Sequence, residues 1–205
     1  RSARRADSAV MSSAERASPG LTSGVDLLEQ AIGYTLGTLR YATDRALSRP
    51  SPCGEWDLRV LLAHMVDSFT ALQEAAETGD VSLSAAPRPP RDVPYGPVAE
   101  LRTRAVAVLG AWGECDDLVT ISGLTLPAEV VASTGAVEVA VHGWDVAQAC
   151  GHPQPIPASL GRALLAVVPL LVSAADRPAR FAAPYRTSVF ASPGDRLVAY
   201  LGRRP

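Results

Sequence analysis

Between residues 128 and 151 the chain reads AEVVASTGAVEVAVHGWDVAQACG, which is apolar or small at almost every position. Wound at about 100° per residue, its valines, alanines, glycines and Trp144 cover most of the helix circumference. A helix that is apolar nearly all round is buried, so the fold has to be built around this segment. From residue 136 onward its polar exceptions are Glu138, His142, Asp145 and Gln148, and the first three fall within roughly 60° of one another. Such a stripe is either the solvent face of an amphipathic helix or the wall of an internal cavity. Solvent faces elsewhere in the chain carry arginine freely, whereas residues 128 to 161 contain none, which favours the cavity.

The other elements supply partners for this helix. Val25, Leu28, Ile32, Leu36 and Leu39 recur at helical spacing and predict a first helix from Ser23 to about Leu47. After the breaker SRPSPCGEW, a second helix starts near Trp56 or Asp57 with the stripe Leu58, Leu61, Leu62, Met65, Phe69 and Leu72. A proline-rich connection over 79–96 leads to a third helix carrying Val98, Leu101, Ala105, Val108, Leu109 and Trp112. Residues 113–127 read as irregular or as a short extended pair. Gly151 suits the left-handed cap of the fourth helix. A fifth helix around Ala158–Ser173, bent at Pro169, and a short last one begun by Ser192 and Pro193 and ended by Gly202 complete the chain. The expected class is all-α. It divides into a flexible tail over 1–20, an antiparallel four-helix bundle over 21–151 and a helical extension over 152–205.

A formal charge of −2, without arginine runs interleaved with aromatics, argues against a nucleic-acid partner. No apolar run is long enough to span a membrane, and no apolar signal segment follows the basic start, so the expected location is cytoplasmic. All 19 basic residues are arginine, as expected of a G+C-rich genome. Cys53, Cys115 and Cys150 show no CxxC spacing and read as buried, inert thiols. The exposed apolar face of the fifth helix leaves room for a homodimer.

A carboxylate and an imidazole four residues apart on one helix can grip one metal ion. Glu138 and His142 have that spacing. His64, in LLAHMVDSF, lies on a helix that a bundle places beside the fourth and is the natural third ligand; the alternative is a half-exposed structural histidine. His152 falls in a proline-rich loop and reads as a surface residue. Asp145 and Asp67 each follow a proposed histidine ligand by three residues and could orient its imidazole, although Asp67 also reads as an ordinary surface carboxylate. Two histidines and one carboxylate leave coordination positions open, as in catalytic zinc sites, and the same donors accept iron(II) or nickel.

The segments SPCGEWDLRVLLAHM and VEVAVHGWDVAQACG resemble those of the DinB-like superfamily, specifically the mycothiol-dependent maleylpyruvate isomerase N-terminal-type metal-binding proteins. The ending DRLVAYLGRRP is similar to that of the shorter members. The resemblance implies a four-helix bundle holding a divalent metal, usually zinc, through His64, Glu138 and His142. It also implies a low-molecular-weight thiol, in particular mycothiol, bound as a thiolate that attacks a small electrophilic substrate in a transferase or isomerase reaction. It names no substrate, and the segment after 151 is shorter than the isomerase's separate second domain. A metal-binding module without catalysis, or a biosynthetic enzyme using the bundle cavity without a thiol, are the competing expectations.

Overall fold

A computed structural model describes residues 22–82 and 96–205. The expected tail over 1–20 and most of the 79–96 connection lie outside the described residues. Six α-helices run Gly24–Thr38 (α1), Leu58–Thr78 (α2), Gly96–Trp112 (α3), Ala128–Ala149 (α4), Ala158–Leu171 (α5) and Pro193–Tyr200 (α6). Strands Asp80–Val81 (β1), Leu118–Ile121 (β2) and Leu124–Pro127 (β3) form a small sheet in the order β1-β2-β3.

The all-α expectation is therefore corrected to a mostly helical fold with a three-stranded sheet. The β2–β3 hairpin, with Val119 opposite Leu126, is the extended pair allowed for between α3 and α4; β1 pairs in parallel with β2. The two residues of β1 follow the α2 terminator Gly79 directly and are too few to show an alternating pattern.

Local chemistry sets the helix ends. Ser23 and Asp57 cap α1 and α2 by accepting from the backbone N–H groups of Asp26 and Val60. Helix α1 stops at Thr38, short of the expected Leu47, and continues as two 3₁₀ turns, Leu39–Tyr41 and Asp44–Ala46. Gly79 and Gly151 take positive φ after α2 and α4, as left-handed caps require. Pro169 stays inside α5.

Helix α4 is the spine: α1 packs along it, α2 and α5 flank it, and α3 lies against α2. Almost every α4 side chain is buried, as its composition demands. The arrangement is consistent with a DinB-like helical domain. Among the described residues, no helix is long and apolar enough to cross a membrane.

Helix α1 approaches α4 closely at Gly143, where an added Cβ would lie within 3.2 Å of the Thr35 backbone and clash with its hydroxyl oxygen. Thr35 cannot rotate away freely, because its hydroxyl donates to the Val139 carbonyl at 2.8 Å. Gly143→Ala should therefore destabilise the protein by about 1–3 kcal/mol, despite alanine's better helix propensity, in a urea unfolding titration. Gly33→Ala, where an added Cβ meets nothing within 4 Å, is the control that should not.

Candidate metal centre

His64 projects from α2 and Glu138 and His142 from α4, so that three side chains from two packed helices meet at one point. His64 Nε2 lies 2.7 Å from Glu138 Oε1, and His142 Nε2 lies 3.2 Å from the same oxygen. The Ser68 hydroxyl, one turn beyond His64, donates to Glu138 Oε1 at 3.3 Å. The two imidazoles stand edge to face with centroids 5.0 Å apart, and the Trp56 ring lies tilted against His64, also at 5.0 Å. His64 and Glu138 are half-buried and His142 is buried.

Behind His142 lies a second layer. Its Nδ1 is 2.9 Å from Oδ2 of Asp145, which has no exposed surface. The same oxygen accepts the Cys53 thiol at 2.9 Å and Arg203 Nη2 at 2.8 Å. Arg203 Nε reaches Asp145 Oδ1 at 3.2 Å, making the pair bidentate, and Nη1 donates to the Leu201 carbonyl. Cys53 arrives on the loop before α2, where Ser51 holds both the Trp56 carbonyl and the Cys53 N–H. Arg203 arrives from the turn after α6, where Arg203 N–H donates to the Val198 carbonyl.

These contacts polarise the whole group. Burial opposes ionisation of Glu138, yet its bonds to His142 and His64 hold its carboxyl well below the ordinary range. Burial likewise opposes the charged form of His142, but Asp145, Cys53 and Glu138 hold its pKa well above the usual imidazole value. Asp145 is also depressed, because the His142 and Arg203 contacts outweigh its burial.

Two donor sets emerge, His64/Glu138/His142 and Cys53/His142/Asp145, each with ligand atoms within 4.8 Å of one another. They share His142, which turns Nε2 to the first and Nδ1 to the second. The first faces a cavity of about 650 Å³ whose wall is largely apolar, through Trp56, Val137, Val141, Leu171 and Phe181, and also carries Asp176 and Arg180.

All three proposed ligands thus come together, with Asp145 against His142. Asp67 does not join them: it is exposed and makes no hydrogen bond to His64. His152 is exposed, stacked on Tyr41. Of the three thiols expected to be buried, only Cys150 is: Cys115 is half-buried and Cys53, also half-buried, lines the cavity.

The model of the mycothiol maleylpyruvate isomerase N-terminal domain family matches residues 28–147. The chain belongs to this family. The matched span holds every residue of both donor sets and stops before Arg203. Two uncharacterized proteins of Mycobacterium tuberculosis, MT0763 of strain CDC 1551 / Oshkosh and Rv0738 of strain ATCC 25618 / H37Rv, are each 28% identical over 162 residues, covering 77% of this chain and 85% of the relative. No solved structure gives a significant match. The family takes its name from an isomerase, while these two relatives have no described activity.

Proposed function

We propose that this member of the mycothiol maleylpyruvate isomerase N-terminal domain family is a divalent-metal-dependent, thiol-using transferase or isomerase, with zinc held by His64, Glu138 and His142. One observation carries this reading: three donors of the right types converge at the wall of a largely apolar cavity, and among the described residues no fourth joins them. The donor chemistry fits, because Glu138 Oε1 stands between two imidazole Nε2 atoms, and the bond from Nδ1 to Asp145 fixes the His142 ring. Bound there, the metal would supply a Lewis acid able to take a thiol sulfur as thiolate. The chain's own residues do the rest. Trp56, Val137, Val141 and Leu171 give a guest an apolar wall beside the charged donors. Glu138 holds both histidines in place, and Asp145 holds the Nδ1 proton so that the Nε2 lone pair is free when that nitrogen is unprotonated. A low-molecular-weight thiol such as mycothiol, and a small electrophile to receive it, suit a cavity of this volume and lining.

Metal and proton compete for His142 Nε2, which yields a pH signature. In metal-stripped protein the raised His142 pKa contributes stability that is complete below about pH 6.5 and is lost as pH rises through the folded value. The depressed Glu138 and Asp145 contribute stability that is complete above about pH 4.3 and is lost as pH falls through their folded values. Melting of EDTA-treated protein should thus be highest at mildly acidic pH and fall above it, while the increment from added zinc grows with pH. Untagged protein should carry about one equivalent of metal, and Co(II)-substituted protein should change its spectrum when mycothiol is added. Less than about half an equivalent of any metal in the wild type would sink the reading. An unchanged cobalt spectrum would favour a binding module over an enzyme.

A further inference from the structure

The inner set, Cys53 Sγ, His142 Nδ1 and Asp145 Oδ2, has the dimensions of a metal site. Its edges are 2.9 Å from sulfur to oxygen, 2.9 Å from nitrogen to oxygen and 3.6 Å from sulfur to nitrogen. Ordinary zinc bond lengths at tetrahedral angles give edges of about 3.3–3.6 Å, so small displacements would suffice. Thiolate, imidazole and carboxylate together would prefer a soft or borderline divalent ion. Such an ion would claim His142 through Nδ1 and leave the ring proton on Nε2, so that Nε2 has no lone pair for the outer set.

That place is already taken by a cation. The Arg203 guanidinium bridges both oxygens of Asp145 and brings Nη2 within 3.5 Å of Cys53 Sγ. Its side chain is 12% exposed and Asp145 is fully covered, so the pair is shielded from solvent exchange. A guanidinium stays charged at any working pH, satisfies a carboxylate in a fork and only donates hydrogen bonds, so it leaves Cys53 Sγ and His142 Nδ1 without the coordinate bonds a metal would make.

We propose that Arg203 is an internal counter-cation that keeps a latent Cys53/His142/Asp145 metal site closed and thereby commits His142 to present Nε2 to the outer donors. It is a positioning residue: it reaches the outer set only through Asp145 and His142. The commitment to the outer set rests on the function proposed above; the closure of the inner set does not. When the guanidinium is removed, an incoming divalent ion would take its place beside Asp145, the Cys53 thiol proton leaving to solvent and the His142 ring proton moving from Nδ1 to Nε2, so that thiolate sulfur and Nδ1 are both free to bind.

The test uses Co(II) alone, added to the metal-stripped full chain. Wild type should take up about one equivalent without a thiolate-to-cobalt charge-transfer band. Arg203→Met, which keeps most of the apolar stem, should develop that band while total uptake stays near one equivalent, because both donor sets draw on His142, and adding Cys53→Ser should abolish the band. Arg203→Lys, which retains a cation, should suppress most of the band. A folded Arg203→Met protein without the band, or a wild type that shows it, overturns the proposal. If Arg203→Met does not fold, the wild type decides: iodoacetamide should alkylate Cys53 equally fast at one equivalent and at excess Co(II), and protection at excess overturns the inference. Loss of the first, band-free equivalent from wild type would instead defeat the outer-site reading and leave the band test legible.

Discussion

Glu138→Ala should lower metal affinity by more than roughly 100-fold, beyond the 10- to 100-fold that follows loss of a partner behind a ligand. The expectation follows from where Oε1 sits. Both imidazole Nε2 atoms and the Ser68 hydroxyl converge on that one oxygen, so it contributes a donor atom and also sets the separation of the other two. Removing it leaves two neutral ligands from two different helices, with no negative charge at the outer set to offset a divalent ion. Glu138→Gln separates the two roles, since it keeps the size and an acceptor oxygen but removes the charge; it should fall between alanine and wild type. Competition with a chromophoric chelator measures all three, and a Glu138→Ala protein that retains a full equivalent at wild-type affinity would remove the outer set from consideration. In metal-free protein the same substitution takes away the partner of both histidines. The His142 pKa should then fall towards its ordinary value, visible in the titration of its ring protons by NMR, because one of the contacts holding it up is gone.

The spine and its stripe were legible because periodicity and composition agree there. No arrangement except burial suits a helix like α4, and in a buried helix three ionisable side chains on one face must find partners. His64 could be paired with them because helical spacing on both elements limits which faces can meet. What the sequence hid lay outside periodic segments. Cys53 sits in an irregular loop whose Ser51 bonds give no pattern in one dimension, and Arg203 comes 58 positions after the aspartate it binds. A signal for Arg203 did exist: an arginine directly after the Gly202 helix terminator. Nothing about spacing, however, tells that it turns inward. The two readings of Asp67 stayed open for the same reason. It stands three residues after a histidine just as Asp145 does, but α2 shows that flank to solvent whereas α4 has no solvent flank there.

That contrast sets up the second large effect. Asp145→Ala should cost about 3–5 kcal/mol, because it strands the buried Arg203 charge without its carboxylate and leaves the His142 Nδ1–H and the Cys53 thiol without their shared acceptor. For a chain of this size the melting temperature should fall by roughly 6–20 °C. Asp67→Ala, at the same spacing from its own histidine but exposed, should change stability by less than about 0.5 kcal/mol. The penalty belongs to the unpaired charge rather than to the lost bond, so the double variant Asp145→Leu/Arg203→Met should be more stable than Asp145→Ala alone, a non-additivity that a thermal double-mutant cycle reads directly. Metal affinity should not recover with it. His142 keeps its place on α4 but loses the group that fixes its tautomer, so the double variant should regain its fold while still binding zinc about 10- to 100-fold more weakly than wild type. An Asp145→Ala protein that melts within about 2 °C of wild type would mean that Arg203 finds another partner or reaches solvent, and that the inner layer does not hold His142 in place.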